Sequence, residues 1–410
     1  MQTSTLVQAL NSLITSEPTS IPDNDKAKLF EACSKVAAKF QSPDKELVDM
    51  YFGPLKAIAL RLAIDMRIFD FSVGKTKVSL EELSRETGCE DLFIKRVLRI
   101  IISMGLFKEV DKDVFETTPA AKAYMTDAPM AQIIIHLTET APVAASLPSY
   151  FAQKGYTSPA VSTDCPFQYA MQTPLHNFAW IAADPKRQRA FNTMMTIRIK
   201  RSVDSKWFEV FPVSRIIDAE KTAHDGKGEN GENEGKDVFL VDIGGGIGHQ
   251  TIDFKTHFPG VKGRCVVQDI APVISTITDL PTGIEAQVHD FLTPQPIYAA
   301  KIYFLAHVLH DWPDKEAGEI LGHVRDAMGP ESVVLLSETL MPERDASFVA
   351  AAMDLTMMAA YASLERTETQ FRELLESIGF EVVEVWREKD TESGTSMLGQ
   401  AVIEARLRRD

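Results

Sequence analysis

Beyond residue 237 the chain alternates short apolar strands with helical segments, and this alternation constrains the fold more than any other feature of the sequence. The predicted strands are VFLVDIG, GRCVVQDI, AAKIYFLAHVL, ESVVLLSETL, FEVVEVWRE and SMLGQAVIEAR. Strands that alternate with helices form a parallel sheet with helices on both faces. We therefore expect an α/β domain with a mostly parallel sheet and an antiparallel last strand. Ligands of such folds bind beyond the carboxyl ends of the strands.

The N-terminal half predicts helices instead of strands. The segment FGPLKAIALRLAIDMRIFD carries an apolar stripe at helical spacing, made of Leu55, Ile58, Ala59, Leu62 and Met66. Ser79 and Glu82 have the spacing of a capping box at the start of the next helix. A second apolar helix then runs to Gly105, and LFKEV and VFETT predict two short strands around DKD. Two helices followed by such a hairpin are typical of a winged-helix unit.

Winged-helix units often bind DNA, and Lys95, Arg96 and Arg99 would suit that role. However, 43 Lys and Arg stand against 58 Asp and Glu, which gives a net charge of −15. An acidic chain is a poor general partner for nucleic acid or an anionic membrane. Because the helix that carries the three basic residues is also apolar on several sides, the sequence favours a protein partner and no nucleic acid.

The chain length predicts two domains, because 410 residues exceed a typical single core. The segment AEKTAHDGKGENGENEGKD is charged and almost free of apolar residues, so we expect a mobile surface loop over residues 221–236. We divide the chain into a mostly helical domain over residues 1–200 and the α/β domain over residues 201–410.

Targeting and redox signals are weak. Four cysteines lie far apart without a CxxC pair, which predicts reduced core thiols and neither a disulfide framework nor a zinc site. The N-terminus lacks the basic and long apolar regions of a signal peptide. No apolar run reaches the roughly 18–20 residues that a membrane helix needs. We expect a cytoplasmic protein that does not bind membranes.

The stretch VDIGGGIGHQ places glycines at the first strand-to-helix turn, where the backbone bends sharply and a ligand can approach. Its spacing is D-x-G-x-G-x-G, from Asp242 through Gly244, Gly246 and Gly248. A dinucleotide site would favour G-x-G-x-x-G. The acidic residue would also repel a pyrophosphate but attract an amine. By itself the turn leaves several nucleotide-like ligands open.

Two further acidic residues narrow the choice among nucleotide-like ligands. Asp269 ends the next strand, where it can accept hydrogen bonds from two ribose hydroxyls or cap a helix. Asp290 ends the third strand, where its carboxylate can meet an adenine amino group while Phe291 packs on the ring. An amine, a ribose and an adenine without phosphates describe S-adenosylmethionine.

These motifs, together with IYFLAHVLHDWPDKEA, SETLMP and LERTETQFRELLESIGF, resemble the plant and fungal small-molecule O-methyltransferases, especially those of fungal secondary metabolism. The resemblance runs from about residue 50 to the C-terminus. It implies methyl transfer from S-adenosylmethionine to a phenolic or enolic hydroxyl of a small secondary metabolite. It also implies a Rossmann-like class I methyltransferase domain, a winged-helix dimerisation and substrate-cap domain, and a homodimer built through the N-terminal half.

Methylating a phenol with a pKa of about 10 requires a base. A histidine with a pKa of about 6.5 is largely unprotonated at neutral pH and can serve as this base. His310 in VLHDW matches the catalytic base of the family, and the resemblance implies that Glu338 and Glu365 orient its imidazole. Taken alone, His310 would also suit a structural role at a strand end. We expect Asp311 to cap the following helix. No Asp/Glu/His cluster has metal-ligand spacing around the glycine turn, so we expect no metal.

The acceptor wall is predicted from a Met- and aromatic-rich helical stretch, and its candidates are Phe167, Phe178, Trp180, Met194 and Met195. In the family, the segment around Phe191, Asn192 and Met195 lies over the acceptor. His136 lies in AQIIIHLTETAPVAASLPSYF, which faces the acceptor in relatives. A Met and aromatic stripe and a lone histidine in an apolar helix are equally typical of a core.

Two features keep an alternative open. The family often has Lys or Arg four residues before the base, where this chain has Ala306, and His136 adds a polar group to the acceptor side. Some fungal relatives retain S-adenosylmethionine as a fixed cation and catalyse dehydration or pericyclic cyclisation without methyl transfer. A binding or regulatory protein is a third interpretation. The intact His310, Glu338 and Glu365 favour methyl transfer.

Overall fold

The computed structural model describes residues 3–15, 23–201, 206–217, 238–387 and 400–408. The predicted mobile loop over residues 221–236 lies outside these described residues. The chain divides into two compact units, an N-terminal unit over Met1–Ala121 and a C-terminal unit over Lys122–Asp410. This division differs from the predicted boundary after residue 200.

The N-terminal unit contains helices and a small sheet. Its helices are α1 (Thr3–Thr15), α2 (Asp23–Phe40), α3 (Pro43–Asp65), α4 (Ile68–Ser72), α5 (Leu80–Thr87) and α6 (Asp91–Ser103). Its strands are β1 (Val78–Ser79), β2 (Phe107–Asp111) and β3 (Val114–Thr117), and a 3₁₀ helix follows at Pro119–Tyr124. The strands pair antiparallel in the order β1-β3-β2. The two predicted strands around DKD are therefore present, and β1 adds a third.

Local signals in this unit match the sequence in part. The capping box at α5 is formed, since the backbone N–H of Glu82 donates to Ser79 Oγ at 3.1 Å. Lys95, one of the basic residues that would suit DNA, is paired with Asp113. The buried face of α3 is Ala59, Leu60, Ala63 and Ile64. Leu55 and Ile58 of the predicted stripe are exposed, because the stripe is wider than the surface that α3 packs against within the unit.

The C-terminal unit contains a seven-stranded sheet. Its strands are β4 (Val238–Ile243), β5 (Arg264–Asp269), β6 (Ile284–Val288), β7 (Ile302–Ala306), β8 (Val333–Thr339), β9 (Phe380–Arg387) and β10 (Gln400–Leu407). Their order is β6-β5-β4-β7-β8-β10-β9. The pairs from β6 to β8 are parallel, whereas β10 is antiparallel to both of its neighbours. The expected Rossmann-like sheet with an antiparallel last strand is confirmed.

Helices flank this sheet and precede it. Those before the sheet are α7 (Pro129–Lys154), α8 (Pro166–Met171), α9 (Asn177–Ala182), α10 (Pro185–Arg201) and α11 (Trp207–Val210). Those between strands are α12 (His249–His257), α13 (Ala271–Ile274), α14 (Asp314–Ala327), α15 (Phe348–Tyr361) and α16 (Glu368–Ile378). Helices α7 and α8 contact α15, and Cys165 Sγ lies 3.5 Å from the carbonyl oxygen of Ala359. These contacts explain why residues 122–200 group with the sheet.

The central strands are buried on both faces, which is why they read as continuous apolar runs. In β7, Tyr303 and Leu305 pack on the side of α14, while Phe304 packs against Trp207 on the other side with ring centroids 4.7 Å apart. The pairs β6–β5, β5–β4, β4–β7 and β7–β8 are all parallel, so these strands run in the same direction. Their carboxyl ends consequently meet at one edge, called the sheet edge below.

Two further expectations can be compared with the structure. Within the described residues, no helix is long and apolar enough to cross a membrane. The four cysteines are unpaired, and Cys165 and Cys265 are buried. Cys33 is exposed, so the prediction that all four are core thiols was wrong. The amphipathic α2 carries Cys33 on a face that the unit does not cover.

Candidate active site

The glycine turn joins β4 to α12 at the sheet edge. Gly244, Gly246 and Gly248 have φ angles of 68°, 61° and 85°, in the left-handed region that favours glycine. A Cβ at Gly244 would lie 2.9 Å from Val308 Cγ2, whereas a Cβ at Gly246 would meet nothing within 4 Å. Gly244 therefore allows close packing, and Gly246 faces open space that a ligand can enter.

Asp242 lies beneath this turn and is 1% exposed. Thr251 Oγ1 donates to its Oδ2 at 2.7 Å, and a Cβ at Gly245 would lie 2.6 Å from its Cγ. Burial raises the pKa of Asp242 to about 7. The expectation of a carboxylate beside the ligand is therefore not what the structure shows, because the turn itself covers Asp242. Its Oδ1 is nevertheless buried without a hydrogen-bond partner among the described residues.

Asp269 and Phe291 border the same turn. The backbone N–H groups of Gly246 and Ile270 donate to the Asp269 carboxylate at 2.9 and 2.8 Å. Burial raises the pKa of Asp269. The Phe291 ring lies 3.5 Å from the position of a Cβ on Gly244. Both side chains thus lie at the turn, and their contacts with a ribose and an adenine stay predictions.

Asp290 is exposed two residues beyond the end of β6, so it follows the strand and does not end it. Its Oδ1 accepts a hydrogen bond from the backbone N–H of Leu292 at 3.0 Å. This bond holds the loop that presents Phe291. Asp290 is therefore positioned near the turn with its carboxylate open to solvent.

His310 lies four residues beyond β7, in a 3₁₀ turn at Leu309–Asp311, and is 3% exposed. Its Nδ1 is 3.0 Å from Glu365 Oε1, a hydrogen bond between buried groups. Ser363 Oγ donates to the carbonyl oxygen of His310 at 2.6 Å. The imidazole therefore has a fixed position, with Nε2 on the side away from Glu365.

Glu338 reaches the same loop from β8, where it is fully buried. Its Oε1 accepts hydrogen bonds from the backbone N–H groups of Val308 and Leu309 at 3.2 and 3.0 Å. Burial raises the pKa of Glu338 to about 7. His310, Glu338 and Glu365 therefore form a buried triad. Glu338 holds the backbone before His310, and of the two glutamates only Glu365 is hydrogen-bonded to the imidazole.

Opposing effects act on the His310 imidazole. Burial lowers its pKa, but the carboxylates of Asp311, Glu365 and Glu338 together raise it to about 9. Asp311 Oδ1 lies 3.6 Å from His310 Nε2, and α14 begins after Pro313 without a side-chain cap. Asp311 therefore has a carboxylate oxygen near the imidazole, and its role as a cap of this helix stays a prediction.

A second histidine lies beside this triad. His307 directly follows β7 with a φ of 53°, an uncommon conformation for a residue with a side chain. Its Nδ1 lies 3.8 Å from Glu338 Oε2, and its ring centroid lies 5.7 Å from that of His310. Sequence reasoning missed His307, although the H-x-x-H spacing in AHVLHDW was a visible signal.

An aromatic cluster connects this loop to the preceding helices. Trp312 contacts Phe291 edge-on at 5.6 Å and stacks on the ring of His176 at 5.0 Å. His176 in turn contacts Phe178 and Tyr361 at 5.4 and 6.0 Å. Burial lowers the pKa of His176 to about 4, so this imidazole is neutral. His176 and Tyr361 were not predicted, because isolated aromatic residues carry no sequence motif.

Phe178 and His136, two predicted acceptor residues, extend this cluster. Phe191 of α10 contacts Phe178 at 5.9 Å and His136 of α7 at 5.7 Å. Burial lowers the pKa of His136, which keeps the imidazole neutral. A continuous row of rings therefore runs from the sheet edge to His136.

The other predicted acceptor residues have different surroundings. Phe167 is fully buried in a small core with Cys165 and Val143, and its ring meets Trp180 at 5.5 Å. Arg187 covers Trp180 at 3.8 Å. Phe167 is therefore a core residue, since α8 packs on α7 and α15 there. Met194 and Met195 are half-buried on α10.

Comparison with known proteins identifies the chain. Family profiles of an O-methyltransferase domain and an O-methyltransferase dimerisation domain match residues 237–381 and 48–127. The demethylsterigmatocystin 6-O-methyltransferase of Aspergillus flavus is 32% identical over 335 residues, which cover 81% of this chain and 82% of that protein. The chain belongs to the O-methyltransferase family. The O-methyltransferase asqD of Emericella nidulans is also 32% identical, with 89% of this chain and 92% of that protein covered.

Solved structures of similar proteins cover nearly the whole O-methyltransferase chain. LepI in complex with SAM has a TM-score of 0.79 and 26% identity over 99% of this chain and 100% of that chain. A structure described as a pericyclic reaction enzyme has the same values. OxaC in complex with SAH and oxaline has a TM-score of 0.77 and 27% identity over 98% of this chain and 97% of that chain.

Proposed function

We propose that this protein transfers a methyl group from S-adenosylmethionine to a phenolic or enolic hydroxyl of a small secondary metabolite, with His310 as the general base. The observation that carries the proposal is the buried hydrogen bond of 3.0 Å between His310 Nδ1 and Glu365, at the sheet edge that also holds the glycine turn. The names of the fungal relatives support the same reaction class.

The residues at the turn fit the cofactor. Open space at Gly246 admits a ligand, and Asp269 lies beside it with a carboxylate that can accept ribose hydroxyls. Phe291 offers a ring face for the adenine, and Asp290 offers a carboxylate for its amino group. Asp242, which the turn covers, supports the turn from beneath. S-adenosylmethionine supplies an electrophilic methyl group on a sulfonium, and its positive charge disfavours the charged form of a neighbouring imidazole.

Proton transfer follows from the geometry of His310. Because Glu365 holds Nδ1, Nε2 is the atom that takes the proton from the acceptor hydroxyl. Only the neutral imidazole can do so, and with a pKa of about 9 the neutral form is the minority in the ligand-free protein at neutral pH. The negative charge of Glu365 then stabilises the imidazolium. Glu338 is a positioning residue, since it fixes the two backbone N–H groups that precede the base. No described residue is required to hold a metal for this step.

The acceptor class follows from the row of rings. Phe178, Phe191 and Tyr361 form a surface that suits a flat, conjugated acceptor. We place His136, Met194 and Met195 on the same wall. Phe167 and Trp180 support it from the core behind. A phenol or enol on a conjugated ring has the acidic hydroxyl that a histidine can deprotonate.

A second candidate is pericyclic or dehydration chemistry without methyl transfer. It is favoured by the similarity to a pericyclic reaction enzyme over 99% of the chain and by the half-buried His136, whose pKa is lowered by burial. In this case the cofactor acts as a fixed cation and is not consumed.

One experiment separates the two functions. Demethylsterigmatocystin and related hydroxylated polyketides are tested as acceptors. The number of S-adenosylhomocysteine molecules formed per molecule of product is measured for wild type, His310→Gln and His136→Ala. We expect one S-adenosylhomocysteine per product, with His136→Ala nearly as active as wild type. Product formation over many turnovers with a ratio near zero would establish the second candidate.

We also propose that the protein is a homodimer formed through its N-terminal unit. The dimerisation profile covers residues 48–127, and α3 exposes a row of large apolar side chains. They are Leu47, Met50, Tyr51, Phe52 and Leu55. Contiguous apolar surface of this kind is rare on a monomer.

The homodimer is tested by light scattering on the full chain. The double variant Tyr51→Asp, Leu55→Asp should be monomeric, because it places charge in the apolar row. Phe348→Asp, at an apolar residue of α15 that is 86% exposed, is the matched control and should remain dimeric. A stable, active monomer of the wild type would contradict the proposal.

A further inference from the structure

Two histidines and a carboxylate form a compact group beside the glycine turn. One nitrogen each of His307 and His310 and one oxygen of Glu338 all lie within 4.8 Å of one another. Among the described residues this is the only group of three or more His, Cys, Asp or Glu side chains with that property. Two imidazoles and one carboxylate are the ligand set of many three-residue zinc sites.

Some atoms of this group are already hydrogen-bonded, whereas one carboxylate oxygen is not. Glu365 holds His310 Nδ1, and two backbone N–H groups hold Glu338 Oε1. Glu338 Oε2 is buried and has no hydrogen-bond partner among the described residues. A buried carboxylate oxygen without a donor is unfavourable, and a cation would satisfy it. The hydrogen bond from a carboxylate to the far nitrogen of a histidine is also the usual support of a metal ligand.

The distance between His307 and Glu338 suits a first-row transition ion. Zinc binds nitrogen and oxygen at about 2.0–2.2 Å, so two ligand atoms on a tetrahedral ion lie about 3.3 Å apart. The Nδ1 of His307 and Oε2 of Glu338 are 3.8 Å apart, which requires a movement of only about half an ångström. Magnesium and calcium prefer oxygen ligands, and two imidazoles disfavour them.

Charge and access support the same ion. Asp311 and Glu365 add carboxylates around His310, so the field at the group is negative. The His307 side chain is 21% exposed, whereas those of His310 and Glu338 are almost fully buried. An ion can therefore enter past His307 and reach the two buried ligands.

We propose that His307, His310 and Glu338 form a binding site for a divalent transition-metal ion such as Zn²⁺. The ion is not a resident cofactor. It is coordinated through the nitrogen lone pair of His310 that the proposed methyl transfer uses as a base. The bound ion therefore inhibits methyl transfer. The binding site itself does not depend on the proposed function, but the inhibition does.

Co²⁺ is the probe for the binding test. Metal-free, untagged full-length protein is titrated with Co²⁺, and the visible d–d absorption is followed. We expect one ion per chain and loss of the absorption when Zn²⁺ is added. His307→Gln should weaken Co²⁺ binding by about 100-fold or more, since loss of an orienting partner alone costs about 10–100-fold. His257→Gln, at an exposed histidine of α12, is the matched control and should bind like wild type.

The outcomes that overturn the proposal are distinct from failure of folding. Circular dichroism and S-adenosylhomocysteine affinity are measured on each variant, and His307→Asn is a second substitution if His307→Gln is unfolded. Absence of saturable absorption, equal binding by wild type and a folded His307 variant, or a thiolate charge-transfer band from a cysteine site would each overturn the proposal.

Activity gives a second readout. With demethylsterigmatocystin as the acceptor, Zn²⁺ should inhibit the wild type and a chelator should restore the rate. His307→Gln should need about 100-fold more Zn²⁺ for the same inhibition. If the wild type transfers no methyl group, the proposed function fails while the Co²⁺ result still decides the metal site. Loss of activity on chelation would overturn the inhibitory role.

Discussion

The sheet edge and the helical wall of the C-terminal unit contribute to one candidate active site by different physical means. At the sheet edge, polar side chains follow strand ends and are held by directional hydrogen bonds to backbone groups, as Asp269 and Glu338 are. Along α7 to α10, rings such as Phe178 and Phe191 are held by non-directional packing. The first arrangement tolerates little change, whereas the second can adapt to different acceptors.

This difference suggests a division of labour. Cofactor binding and proton transfer require atoms at fixed distances, and the sheet supplies them because parallel strands end at one edge and hydrogen bonds hold the side chains there. Acceptor recognition requires a surface of the right shape, and helices supply it. Substitutions at the sheet edge should therefore change affinity or rate steeply, and substitutions in the wall should change specificity gradually.

The largest expected effect concerns Asp269. Asp269→Ala removes two proposed ribose hydrogen bonds worth about 1.5–3 kcal/mol each, so cofactor affinity should fall by about 100-fold or more. Calorimetric titration with S-adenosylhomocysteine measures it. Asp290→Ala is the control at the exposed end of the same edge and should lose less. Undiminished affinity of Asp269→Ala would place the ribose elsewhere.

A comparable effect is expected on the rate at His310. His310→Gln removes the base and retains a hydrogen-bonding side chain, so turnover should fall by about 10²–10⁴-fold with cofactor affinity unchanged. Glu365→Gln keeps a side chain of the same size next to His310 Nδ1 but removes its negative charge. The turnover of this variant should fall less than that of His310→Gln. If Glu365→Gln were the slower of the two variants, Glu365 and not His310 would carry the proton.

The same contrast explains what could be predicted from the sequence. Asp269 was found because it lies at the end of an apolar strand, and parallel strands bring such ends together. His310, Glu338 and Glu365 were found through family motifs, and Glu365 lies between two helices where no strand pattern marks it. Asp242 was identified but misplaced, since a pattern does not show whether a turn covers a carboxylate. On the helical wall, Phe178 and Phe167 look alike in sequence. Only the packing of α8 on α15 separates the core residue from the ring in the row.

A smaller effect tests that separation. Phe167→Ala removes a fully buried ring and should lower the free energy of unfolding by about 3–5 kcal/mol. Phe178→Ala removes a half-buried ring and should cost less stability while raising KM for the demethylsterigmatocystin probe. Denaturant unfolding and steady-state kinetics are measured on both variants. If Phe167→Ala were as stable as wild type and had a raised KM, Phe167 would be an acceptor-binding residue and not a core residue.

A gradual change of the unfolding free energy with pH is expected from Asp242, the carboxylate that the turn covers. Burial raises its pKa to about 7 in the folded protein, while the unfolded chain has the ordinary value of 3.8. Between these values the folded state binds more protons than the unfolded state, so the contribution of Asp242 to stability falls as pH rises. The slope is at most about 1.4 kcal/mol per pH unit for one proton.

Asp242→Asn imitates the protonated form and removes this slope, while all other titrating groups stay the same. The difference in unfolding free energy between Asp242→Asn and wild type should therefore shift in favour of the variant from pH about 4 to about 7 and then level off. Asp269→Asn is the matched control at the open side of the turn, where hydrogen bonds from Gly246 and Ile270 oppose the effect of burial, and its difference curve should be flatter. A flat curve for Asp242→Asn would mean that water reaches the carboxylate. The glycine turn would then not shield Asp242, and the sheet edge would have one more open carboxylate.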